Sequence, residues 1–213
     1  MRKYRKISLW AFLILASLLV IEVSCTQNPT TPGDSPIDTT TTSTPSAEKF
    51  HFPIDKGLDR VTKKTFWLQV SPRNSPVSPE KFSGYHTGTD FETFDTEKDT
   101  VISIKAICTG PLLLKKWATG YGGVAVQKCE LNKEVVTVVY GHLKLESIAT
   151  NINAELRTGD MIGILGKWYS SETNGERKHL HLSIHKWATV NIRGYVAMNG
   201  ELVQWFDPMK YLQ

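Results

Sequence analysis

"GVAVQKCELNKEVVTVVYGH", Gly123 to His142, is two β-branched runs joined by a short polar turn, "ELNKE" at 130–134. β-Branched and aromatic side chains fit a pleated, half-buried surface, and a polar break between two such runs marks a hairpin. The same texture extends outward in both directions. "TVISIKAIC" (100–108) and "PLLLKKW" (111–117) precede the hairpin, and "DMIGILGKW" (160–168) and "HLHLSIHKW" (179–187) follow it. "ATGYGG" (118–123) and "RTGD" (157–160) supply turns between them. No segment carries a convincing amphipathic helical period, although "DPMKYL" near the end suits a single turn. The expected fold is therefore all-β, mainly antiparallel sheet, with short irregular or helical segments. A chain of 213 residues has room for one such domain plus accessory segments.

The N-terminal region reads differently. A basic start, "MRKYRK", precedes an apolar run from Ile7 to Ile21, about the length of an export signal's hydrophobic region and short for a full membrane span. "VSC" follows, and residues 1–24 resemble a bacterial lipoprotein signal in which Cys25 would become the lipidated N-terminus. Glu22 stands where such signals usually carry an aliphatic residue. The alternative is an uncleaved N-terminal anchor. Either arrangement puts the rest of the chain outside the cytoplasmic membrane, in the cell envelope. Residues 25–49 are rich in Thr and Pro and almost free of large apolar side chains, so they cannot offset their ordering entropy and read as a disordered tether. Fully stretched, such a tether reaches roughly 80 Å. Residues 50–81 form a lead-in to the domain at 82–213.

The net charge of +4 belongs largely to the leader. The first 24 residues hold four of the 25 basic side chains and one of the 21 acidic ones, so the remainder is near +1. Nucleic acid as a partner loses its main support, because it needs a concentrated basic footprint on the folded domain.

All six histidines fall beyond residue 50. In "HTGTD", His86 and Asp90 stand four apart in a glycine-bearing stretch that favours a loop entering a strand, and both are ordinary zinc ligands. In "HLHLSIH" alternation puts His179, His181 and His185 on one strand face. Neighbouring members of that face stand roughly 6–7 Å apart, which suits one ligand and one base better than two ligands. His142 ends the hairpin's second strand. Singly, each of these patterns is as well explained by solvated surface residues. Cys108 and Cys129 are either a disulfide or two buried thiols, and neither has zinc-knuckle spacing.

Taken together and in order, "HTGTD", "YGHL" and "HLH" resemble the M23 family of zinc metallopeptidases, the LytM or lysostaphin-type domain. "GYGGVAV", "TGDMIGILG" and "DPMKYL" extend the likeness over roughly residues 82–212. The resemblance implies a LytM-like antiparallel sheet with the site in a groove along one face. It implies that His86, Asp90 and His181 hold one zinc ion per chain and that His142 and His179 are the catalytic histidines. It also implies a monomeric endopeptidase acting on peptidoglycan peptides. The donor set agrees, since two imidazoles and one carboxylate leave a fourth tetrahedral position open, as a hydrolase requires.

The alternative is a non-catalytic LytM-like domain that binds or regulates cell-wall hydrolases; such domains typically lose a ligand or a catalytic histidine, and none is missing here. Lys178 and Ser183 depart from the family's usual proline and glutamate. Tyr85 and Tyr121 flank motif positions and are expected on the cleft wall. The loop 168–178 is expected to form one side of the groove, and His185 to lie at the surface or the cleft edge as a bystander.

Overall fold

The computed structural model of the chain describes residues 50–213. The proposed signal (1–24), the tether (25–49) and Cys25 lie outside the described residues. No helix among those described is long and apolar enough to cross a membrane.

The strands, in chain order, begin with β1 (Gln69–Val70), β2 (Gly84–His86), β3 (Thr89–Glu92) and β4 (Ser103–Lys105). They continue with β5 (Gly110–Ala118), β6 (Gly122–Leu131), β7 (Glu134–Leu143) and β8 (Glu155–Leu156). The last are β9 (Met161–Ile164), β10 (His179–Lys186), β11 (Tyr195–Val196) and β12 (Trp205–Phe206). Among the described residues every pairing between these strands is antiparallel, and the principal sheet runs β12-β10-β7-β6-β5-β8, with β3 also pairing β10. Among the described residues, helix is confined to one turn of α-helix, Gly57–Arg60, and short 3-10 segments, one of them Pro208–Lys210 within "DPMKYL".

The opening hairpin is β6 and β7, joined by Asn132 and Lys133 at φ 51 and 66. Two consecutive residues with positive φ make the turn whose twist matches that of the flanking strands. On β10, Leu180, Leu182 and Ile184 enter the main core with Tyr140, Val138 and Val136 of β7, and all six are fully buried. The alternate residues, His179, His181, Ser183 and His185, occupy the other face.

Phe50 and Ile54 of the lead-in join the same core, and Phe50 bridges Leu212 near the chain's end. The lead-in is therefore built into the domain. Cys108, just before β5, and Cys129 of β6 form a disulfide, the first of the two readings left open by the sequence.

Candidate metal centre and its cleft

The site is assembled on the polar face of β10. Cross-strand register sets Asp90 of β3 directly opposite His181, and Glu92 opposite His179. Directly opposed residues share a face with Cβ atoms close enough to interact. On its other side His181 faces Gly141 of β7. A Cβ at Gly141 would meet the Tyr121 ring at 2.4 Å, so the glycine of "YGH" lets that ring lie over the strand. Gly88 of "HTGTD" has a similar role, since a Cβ there would stand 2.3 Å from the Leu182 carbonyl oxygen.

His142 reaches the site through a β-bulge. Gly141 opposes Val124, yet Leu143 opposes Gly123, so His142 is an extra residue in the ladder. Tyr140 and Leu143 both enter the core, although strict alternation would send them to opposite faces. The bulge absorbs the difference and turns His142 to the polar side, at φ 63. Such a conformation costs a non-glycine residue on the order of 1–3 kcal/mol and persists where the surroundings impose it.

Three donor atoms converge. His86 Nε2 lies 2.9 Å from His181 Nδ1 and 3.2 Å from Asp90 Oδ1, and His181 Nδ1 lies 3.1 Å from the same carboxylate oxygen. All three residues are buried. His86 Nδ1 donates to the Thr65 carbonyl at 3.1 Å, which directs the lone pair of Nε2 into the cluster. A tetrahedral zinc with bonds near 2.0–2.1 Å has donor separations of about 3.3 Å, so this set fits such an ion with small outward shifts. Two imidazoles and a carboxylate are also a zinc donor set by type.

Beside the cluster, the rings of His142 and His179 stand 4.1 Å apart between centroids. His179 Nδ1 donates to the Arg177 carbonyl at 2.9 Å, and its Nε2 lies 3.3 Å from Asp90 Oδ2. Nδ1 of His142, Nε2 of His181 and the Tyr121 hydroxyl are buried without a protein partner.

The electrostatics follow from burial and crowding. Burial pushes the Asp90 carboxyl up, but the charges of His86 and His179 and hydrogen bonds from His179 and His181 outweigh it, holding the group well below the usual carboxylate range. Burial holds His142 well below the ordinary imidazole value, aided by the neighbouring His179 charge. Burial likewise lowers His181 to about 4, with the Asp90 hydrogen bond opposing it.

Asp90, His142, His179 and His181 line a cleft of about 280 Å³. Tyr121 is on its wall, while Tyr85 is not. Tyr85 precedes His86 on β2, so alternation turns it away, and it packs against Val196, Leu202 and Trp205. The aromatic wall is made instead by Tyr195, stacked on Phe82 with centroids 5.3 Å apart and packed 5.2 Å from the His86 ring. Lys64 of the lead-in also lines the cleft, its Nζ bound to Glu80 at 2.5 Å and to the Tyr195 hydroxyl at 2.9 Å.

The loop before β10 contributes Glu176 and Arg177 to the cleft, whereas Trp168 and Tyr169 border a separate depression. His185 corrects the expectation of a surface residue. It is 3% exposed, with Trp187 and Trp205 against its ring, because the segment after β10 folds back over that end of the face. Arg177 was legible by parity with His179 and His181. Lys64, Phe82 and Tyr195 carried no such signal, since long-range packing alone brings them in.

No family model matches the sequence, and no curated protein matches it. Solved structures do resemble the fold. The catalytic domain of the antimicrobial peptidase lysostaphin from Staphylococcus simulans is 19% identical with a TM-score of 0.49, the match covering 72% of this chain and 93% of that one. LytU is 22% identical with a TM-score of 0.47, covering 71% of this chain and 83% of that one. Helicobacter pylori Csd3 is 16% identical with a TM-score of 0.48, and although 78% of this chain is covered, it spans only 35% of Csd3.

Proposed function

We propose that the chain is a membrane-tethered zinc endopeptidase that hydrolyses cross-link or stem peptides of cell-wall peptidoglycan. The observation that supports this reading most is the convergence of His86 Nε2, Asp90 Oδ1 and His181 Nδ1 beside the His142–His179 pair, with all of these residues but His86 on the wall of one cleft. The substrate class rests on the sequence resemblance to M23 peptidases. In this reading His86, Asp90 and His181 hold one zinc ion, which would supply a Lewis acid for the scissile carbonyl and make a nucleophile available from water at neutral pH.

The remaining chemistry falls to the protein's own groups. His179 donates a hydrogen bond from Nδ1 to the Arg177 carbonyl, which leaves Nε2, beside Asp90 Oδ2, as the nitrogen that exchanges a proton. His142, kept neutral at pH 7 by burial, offers one nitrogen as acceptor and the other as donor. Together they move the proton from attacking water to the leaving amine, a contribution of about 10²- to 10⁴-fold in such reactions. Tyr121, Tyr195 and Phe82 exclude water and hold the peptide. At the N-terminus, a lipid on Cys25 or an uncleaved anchor would tether the enzyme in the cell envelope, outside the cytoplasmic membrane, with residues 25–49 giving it reach.

The test is to incubate the full chain with peptidoglycan of several wall types, with and without a chelator, and to identify products by mass spectrometry. The expected products are peptides cut at amide bonds, absent with chelator and restored by added zinc. No chelator-sensitive cleavage on any wall type would sink the proposal.

A further inference from the structure

Arg177 lies two residues before His179, on the same side of the strand's approach, and its side chain is 11% exposed. Its Nη2 donates to Asp90 Oδ2 at 2.7 Å and to Glu92 Oε1 at 2.6 Å, while Nε donates to Glu92 Oε2 at 2.9 Å. The other Asp90 oxygen, Oδ1, is the one that meets His86 and His181. From the opposite side the backbone here is pinned by Lys178, whose Nζ donates to the carbonyls of Glu97 at 3.1 Å and Thr100 at 2.5 Å. The guanidinium is thus a fixed fork spanning two carboxylates, and its own carbonyl accepts the His179 Nδ1 proton.

We propose that Arg177 is a positioning residue for the metal centre. It occupies Asp90 Oδ2 so that Oδ1 alone serves the donor cluster, it keeps Glu92 from competing as a ligand, and through its carbonyl it orients His179. The inference rests on the zinc reading above. Its physical basis is that a carboxylate with both oxygens free binds an ion through one or both, whereas one held by a guanidinium fork has a single oxygen to give. Groups that orient ligands in this way are worth about 10- to 100-fold in metal affinity.

The test uses the full chain, with Arg177→Gln and the charge-conserving Arg177→Lys. Zinc affinity is read by competition with a chromophoric chelator, and coordination by the visible spectrum of the Co²⁺-loaded protein. Four-coordinate cobalt absorbs more strongly than five-coordinate cobalt, so the spectrum reports release of Asp90 Oδ2 in a way that a general loss of stability does not. Arg177→Gln is expected to bind zinc about 10- to 100-fold more weakly with a weakened cobalt spectrum, and Arg177→Lys to fall between it and the parent.

Parental affinity and spectrum in a folded Arg177→Gln protein overturn the inference. If that variant does not fold, the same parental result in Arg177→Lys overturns it. A parent that binds zinc, with binding lost in Asp90→Ala, keeps the zinc reading intact whichever way Arg177 turns out; a parent that binds none removes both.

Discussion

The two faces of β10 are built from alternate residues of one strand and are held by different forces. Leu180, Leu182 and Ile184 are fully buried among other hydrocarbon side chains, where burial and dense packing stabilise without directional demands. His179, His181, Ser183 and His185 are almost as buried, yet Nε2 of His181 and Oγ of Ser183 find no protein partner. Polar groups buried here need partners, and leaving one unpaired costs about 1–3 kcal/mol, a directional demand that the core face does not have. The core face therefore carries the fold, and the polar face is a site that the core makes affordable.

That contrast breaks first, and furthest, at His179. His179→Ala is expected to lower peptide cleavage by about 10²- to 10⁴-fold while zinc content, read by elemental analysis, stays parental. Loss of zinc in this variant would mean that the division of labour between His179 and His181 is wrong.

On the opposite face Leu182→Ala should behave in the reverse sense. Denaturant unfolding is expected to show a loss of about 2–5 kcal/mol, with zinc content unchanged in the protein that remains folded. A smaller loss would mean that the core around β10 collapses to fill the gap.

The third comparison is in pH, on chelator-treated protein. Folding lowers His181 from 6.5 to about 4, so the unfolded chain takes up protons first as pH falls. Stability is therefore retained above about pH 6.5 and lost as pH falls toward 4, by on the order of 3 kcal/mol from this residue. The depressed His142 acts in the same direction. Urea unfolding across this range checks the slope, and His181→Ala should flatten it. A profile unchanged by that substitution would assign the acid sensitivity elsewhere.

Much of the site was legible along the chain because its parts are short-range. "HTGTD" and "HLH" each place their members by local spacing, and the β6–β7 turn is written in two residues, Asn132 and Lys133. The misreadings came from parity and cover. Tyr85 sits beside His86 and for that reason faces away from the cluster, while His185 shares the polar face but has Trp187 and Trp205 packed against its ring. Trp168 and Tyr169 lie in the loop that approaches the site but border a different depression.

The sequence by itself determined the strand pattern, the hairpin and the set of titratable residues, because alternation and turn chemistry act over a few residues. Only the tertiary structure decided how these meet. The β3–β10 register sets Asp90 against His181, and a bulge turns His142 out of the core. Arg177 joins Asp90 to Glu92, and the lead-in delivers Lys64. Register, bulges and buried ion pairs depend on which distant segments pack together, and local spacing does not encode that choice.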